Sequence, residues 1–124
     1  MDAPLAATAQ ELQRLLQDVA FTRHYGFRLE AVTAGTCALY VPFQDALERP
    51  GGIVGGHAFM VAADVAMWLA LLAHLGLQDR SVTVELTTAF LQGAKQEDFV
   101  CTARILKFGK RLVYGVAECV SVAG

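Results

Sequence analysis

From Ala58 to Ala73 every residue is apolar except Asp64. No other stretch restricts the fold as strongly. Read as a helix, the segment is apolar around its whole circumference and must be enclosed on all sides. Spanning a bilayer usually takes about 20 apolar residues, and a carboxylate at mid-helix costs roughly 3 kcal/mol on insertion. The run is a little short for that, and strand-like patterns follow it, so the reading is a buried core helix and no membrane span. Its extent is about His57 to His74, with Gly76 as the stop. Small residues along it (Ala58, Ala62, Ala63, Ala66, Ala70) would let neighbouring backbones come close.

The rest of the sequence supplies what could enclose such a helix. Leu12, Leu15, Leu16 and Val19 have the spacing of one helical face, and Thr8 with Glu11 has the form of a capping box, although Asp2-Ala3-Pro4 offers an earlier start. Gly26 ends that pattern. Phe27, Leu29 and Ala31 alternate with Arg28 and Glu30, and a Gly35-Thr36 turn leads into Cys37 to Val41, a hairpin closed by Pro42. Asp45 to Gly56 reads as a loop centred on Arg49-Pro50-Gly51-Gly52. After the helix, Val82 to Thr87 alternates as a strand, with Val82, Val84 and Leu86 on one face and Thr83, Glu85 and Thr87 on the other. Phe99 to Leu106 and Leu112 to Val122 follow as two strands joined by a hairpin connection, Lys107 to Arg111. The expected class is α+β, one domain over residues 1–124, with a curved antiparallel sheet wrapped around one long apolar helix. That arrangement is the hotdog fold.

Composition sets limits on function. The 124 residues are 55% hydrophobic and 18% charged, an apolar surplus that demands either an unusually complete core or closure against other subunits. A net charge of −2 without any long basic run argues against a nucleic-acid binder, whose affinity needs clustered Lys and Arg. The first ten residues lack the pattern of an export signal. Cys37, Cys101 and Cys119 are odd in number and far apart in sequence, which reads as reduced thiols in a reducing cytosol. No His, Cys and carboxylate set has metal-ligand spacing, and neither Ser81 nor Ser121 sits in a triad pattern.

Asp64 is the informative residue. A lone carboxylate on a buried helix is costly unless it is paired or faces a cleft, and ionisable groups placed this way concentrate in active sites. A structural side chain satisfied by nearby hydroxyl or backbone groups is the alternative. The second feature is Gly52-Ile53-Val54-Gly55-Gly56-His57, just ahead of the helix. Free N–H groups at a helix start can hold a carbonyl oxygen that gains negative charge, and glycines let a substrate approach that backbone. An ordinary flexible loop and cap would have the same composition.

These residues carry a resemblance. The runs Arg49 to Gly56, Ala62-Ala63-Asp64-Val65-Ala66, Val82 to Leu86 and Ala89-Phe90-Leu91 are similar in order and spacing to the PaaI-like hotdog acyl-CoA thioesterases, and the similarity extends from about Gly26 to the C-terminus. The resemblance implies hydrolysis of an acyl-CoA-type thioester without a bound cofactor. Asp64 falls on the carboxylate that activates water or attacks the carbonyl, the amide of Gly56 or His57 on the oxyanion donor, and Thr83 on the water-orienting hydroxyl. It further implies a homodimer, paired edge to edge and assembled as a dimer of dimers. In that dimer Asp64 of one chain faces Gly56 and His57 of the other.

The chain departs from the pattern in two places. Gly55-Gly56-His57 stands where many members have His-Gly-Gly, and Arg49 stands where many have Asn. Arg49 and Gly55 are therefore candidate substrate contacts of altered identity. Lys107, Lys110 and Arg111 are candidates for the CoA phosphates at a subunit edge, although three basic residues in a hairpin are usually just a solvated turn. The resemblance also implies one more strand beyond Val122, lying between two earlier strands; either a tail follows Gly124 or the domain closes its sheet differently, and a tail is the expectation. Two other readings use the same fold. A hydroxyacyl-thioester dehydratase would need His57 to pair with the carboxylate, and a non-catalytic acyl-CoA-binding module would need no carboxylate at all. The acyl group is not legible, because Phe59, Met60, Met67 and Trp68 suit a pocket wall and a packed core equally.

Overall fold

The computed structural model describes residues 4–92 and 95–122. The elements, in chain order, are α1 (Ala9–Asp18), α2 (Ala20–Tyr25), β1 (Arg28–Thr33), β2 (Thr36–Val41), β3 (Glu48–Arg49), β4 (Ile53–Val54), α3 (Gly56–Leu75), β5 (Phe99–Phe108) and β6 (Val113–Ser121). One antiparallel sheet has the order β1-β2-β5-β6, and β3-β4 forms a separate two-stranded ribbon. The sheet wraps α3, as the hotdog arrangement requires.

Core packing follows from α3. Its small residues Ala58, Ala62, Ala66, Ala70 and Ala73, with Val65, Leu69 and Leu72, are buried. They meet the inward faces of β2 and β5, where the register pairs Cys37 with Ala103, Leu39 with Cys101 and Val41 with Phe99. The helix is long and apolar enough to cross a membrane. Here it is the core helix of the fold, with one face against the sheet and the segment ahead of α1 tied to its C-terminal end by the Ala6 N–H to Ala73 carbonyl bond. Enclosure is nevertheless incomplete. His57, Met60 and Asp64 are exposed, and Val61, Met67 and Trp68 are half-buried, which leaves one stripe of the helix open in this chain. Of the aromatic and thioether side chains the sequence left open, Phe59 packs against Phe99 at 4.8 Å and Met67 lies against Gly115.

Several local expectations hold in detail. Thr8 caps α1 through its Oγ1, which accepts from the Glu11 N–H at 3.1 Å, while the Glu11 carboxylate accepts from the Thr8 N–H at 2.9 Å. That fixes the helix start at Ala9. Gly26 ends the helical region at φ 68, and Gly76 terminates α3.

Others are corrected. The first helical segment breaks at Val19, which adopts extended angles, and Thr22 holds the resulting corner by donating its hydroxyl to the Leu16 carbonyl at 2.7 Å. A bulge between Leu29 and Ala31 shifts the β1 register, so Val32 turns inward and Ala31 is exposed. The Asp45 to Gly56 loop contains a 3₁₀ turn and the β3-β4 ribbon, whose tip uses the positive φ of Gly51 (108) and Gly52 (71). Val82 to Thr87 is not a strand among the described residues: no neighbouring strand receives its backbone, and Val82 and Val84 are exposed.

The cysteines are closer than their sequence spacing suggested. Cys101 and Cys119 are direct register partners, and Cys37 lies one strand away on the same inward face. All three are free thiols. Burial pushes Cys37 up to about 12. The hydrogen bond between Cys101 and Cys119, together with burial, raises the Cys101 thiol.

Two stability predictions follow from this packing. Asp98 accepts from the Phe43 N–H at 2.7 Å and from the Tyr40 hydroxyl, and these bonds hold its carboxyl below the ordinary carboxylate value. Its contribution is therefore complete above the usual carboxylate range and is lost as pH falls through the lowered folded value. Asp98→Asn should lower the denaturant midpoint at neutral pH and flatten its fall below the carboxylate range; an unchanged acid limb would contradict the assignment. At Gly115, an added Cβ would lie 2.6 Å from the Arg104 carbonyl oxygen, a backbone atom that cannot swing away. Gly115→Ala should cost about 1–3 kcal/mol in urea unfolding, the usual range for overpacking.

Candidate active site

The β3-β4 ribbon delivers the chain to the start of α3. The Gly55 N–H bonds the Leu47 carbonyl at 2.7 Å, and Gly55 itself is the N-cap, at φ −69 and ψ 147. With no side chain there to accept a bond, the amides of Gly56 and His57 open the helix without a capping group. Two rings crowd this point. A Cβ on Gly55 would lie 2.7 Å from the His57 imidazole, so the ring folds back into space that a larger residue 55 would fill. A Cβ on Gly56 would lie 3.1 Å from the Phe90 ring, which belongs to the Ala89-Phe90-Leu91 motif. Both glycines are explained by close approach, not by backbone angle.

Asp64 lies two turns further along α3. It is exposed, and it faces a cleft of about 400 Å³. The segment after the helix returns alongside it, and the Thr83 hydroxyl donates to Asp64 Oδ1 at 2.5 Å. One oxygen is thus engaged while the carboxylate remains open to solvent.

The predicted site residues are only partly brought together. Asp64 and Thr83 touch, and Gly55, Gly56 and His57 cluster at the helix start. Eight residues at 1.5 Å each separate Gly56 from Asp64, about 12 Å along the axis. The first-turn amides and the carboxylate of one chain therefore cannot act on the same carbonyl carbon. Seven residues, about 10.5 Å along the axis, likewise keep His57 from pairing with Asp64 within the chain, as a dehydratase would need. Arg49 is exposed on β3. Lys107, Lys110 and Arg111 are exposed at the far end of α3, where Phe108 stacks on His74 with 3.9 Å between centroids. Within one protomer that hairpin is remote from Asp64. Among the described residues no group of three or more His, Cys, Asp or Glu side chains is placed to hold a metal ion.

Sequence reasoning missed part of the cleft wall. Phe21 and Tyr25 of α2 and Leu86 of the returning segment line it, together with Met60, Val61 and Val65 of α3. Only the i, i+4 spacing of Phe21 and Tyr25 ahead of Gly26 hinted at a shared face.

Comparison with known proteins agrees with this architecture. The family described as "Thioesterase superfamily" matches residues 51–121, more than half of the chain and all of the segment that holds Gly55, Asp64 and Thr83. A Saccharolobus solfataricus protein described as a "putative esterase" is 31% identical over 106 residues, covering 86% of this chain and 70% of its own. A solved structure from Silicibacter sp. TM1040, described as a "putative thioesterase", superposes with a TM-score of 0.84 at 29% identity, covering 97% of this chain and 84% of that one. A Ralstonia eutropha structure described as a phenylacetic acid degradation-related protein shares the fold, with a TM-score of 0.80 at 23% identity over 91% of this chain and 90% of that one. The chain belongs to the thioesterase superfamily, whose hotdog fold and thioester-hydrolase chemistry it carries.

Proposed function

We propose that this thioester hydrolase acts on acyl-CoA-type substrates, with Asp64 as the general base. The carrying observation is the Thr83 to Asp64 hydrogen bond at the edge of an apolar cleft. Thr83 occupies Oδ1 and orients the carboxylate, which leaves Oδ2 to draw a proton from water. The water oxygen then bonds the thioester carbonyl carbon. The carbonyl oxygen gains charge and is met by N–H groups at a helix start, those of Gly56 and His57. As the intermediate collapses, the carbon–sulfur bond breaks and the sulfur takes the proton, giving a carboxylic acid and a free thiol.

The 12 Å spacing along α3 supports a shared site. In this reading Asp64 and Thr83 of one protomer face Gly56 and His57 of a second copy, and two such sites form per homodimer. The open stripe on α3 and the exposed apolar residues Val82, Val84, Tyr114 and Val120 give that pairing surface to bury. A further pairing of dimers would use what one dimer leaves uncovered. The same arrangement would let the Lys107 to Arg111 hairpin or Arg49 of either copy reach the nucleotide phosphates of CoA. Three free thiols suit a cytoplasmic setting.

Thiol release from acyl-CoA tests the reading. Asp64→Asn and Asp64→Ala should each lower turnover by a factor on the order of 10² or more while the fold is retained, and full activity in either would end it. Thr83→Val should lower kcat about tenfold, since a hydrogen bond to a charged group is worth about 1.5 kcal/mol or more. Thr83→Ser should restore most of that loss. Equal activity in the Val and Ser variants would remove Thr83 from the mechanism.

A further inference from the structure

The cleft beside Asp64 has a wall that the thioester chemistry does not require. Helix α2 contributes Phe21 and Tyr25, one turn apart on the same face. Met60, Val61 and Val65 of α3 and Leu86 of the returning segment complete the lining. Apart from the Asp64 carboxylate and the Tyr25 hydroxyl, the lining side chains are apolar. Two of the walls are held firmly. Thr22, fully buried between Phe21 and Tyr25 in sequence, pins α2 through its bonds to the Leu16 and Val19 carbonyls at 2.7 and 3.1 Å. Tyr25 stacks on the buried Phe27 ring, 5.2 Å between centroids and 8° from parallel. Phe21 is different: it is half exposed, and among the described residues its ring stacks on no other.

An exposed phenylalanine on a pinned helix, beside an apolar cleft with a carboxylate in its wall, has the position of a size-setting side chain. The cleft volume of about 400 Å³ lies near the small end of the range for small-molecule sites. It suits the acyl portion of a thioester and not the nucleotide portion as well. We infer that this cleft receives the acyl group, a compact apolar one, and that Phe21 sets the length it accepts. This assignment rests on the functional reading above and adds the acyl subsite to it. Phe21 is part of the cleft wall, so a side chain smaller than Phe at this position enlarges the subsite and a larger one reduces it. Because Phe21 is half exposed and outside the core, replacing it leaves the packing of α2 on Thr22 and Phe27 intact.

The test is the chain-length profile of the full-length protein. kcat/KM is measured on straight-chain acyl-CoAs from acetyl to palmitoyl for wild type, Phe21→Ala and Phe21→Trp. In parallel, calorimetry measures binding of the matching S-alkyl-CoA thioethers, which cannot be hydrolysed. Phe21→Ala should move the optimum to longer chains, with about a tenfold change in the long-to-short ratio, and Phe21→Trp should move it the other way. The thioether affinities should shift in parallel. If wild type releases thiol but neither variant changes the profile, the acyl assignment fails while the hydrolase reading stands. If wild type releases no thiol from any member, the acyl-CoA reading fails. The thioether series then decides the cleft alone: a length dependence that Phe21→Ala does not move overturns it.

Discussion

The structure depends on the contact between α3 and the concave face of the sheet. A helix with eight buried positions, five of them alanine, can lie close to β2 and β5 because there is little side chain to hold the backbones apart. Close approach removes most of the apolar surface from water and stabilises the fold by roughly 25 cal/mol for each Å² buried. It also fixes which way the helix faces. With Ala62, Ala66 and Leu69 buried against the core, Asp64 is turned away from it, toward the cleft. The carboxylate therefore needs no buried partner. The constraint that makes the core also exposes the acid.

That orientation explains how much of the site could be read from the sequence. Asp64 was conspicuous because it interrupts an otherwise apolar run, and the run itself announced a core helix. Thr83 became a candidate through resemblance, and its contact with Asp64 depends on the chain turning back at Gly76. The capping box at Thr8 and Glu11 was legible because it is local chemistry. The break at Val19 was not, because both halves keep helical spacing and the corner is held by a buried Thr22 hydroxyl. The bulge beside Glu30 was hidden for a similar reason, since alternation in sequence assumes an unbroken register.

The Val82 to Thr87 segment shows the limit of pattern reading. Its alternation is genuine, but a strand exists only where a second backbone completes its hydrogen bonds. Among the described residues none does, although Thr83 and Leu86 still face α3 and the cleft. Phe21 and Tyr25 were missed because nothing in a six-residue helix marks which long-range neighbour it will meet. Cys101 and Cys119 likewise become neighbours only through the β5-β6 register.

Spacing along α3 has a consequence for assembly. An acid and an amide about 12 Å apart on one rigid helix serve one carbonyl only if two helices from different copies each supply half. Mixed dimers test this most directly. One chain carries Asp64→Asn; the other carries Gly56→Pro, which removes the first amide at the helix start, after a residue already extended at φ −69 and ψ 147, with the exposed Phe90 ring swinging aside to admit the new side chain. Each variant alone should be inactive, and their co-expressed heterodimer should recover about half of the wild-type turnover per dimer, because one of its two sites is then intact. A heterodimer no more active than its inactive parents would contradict a site shared between chains.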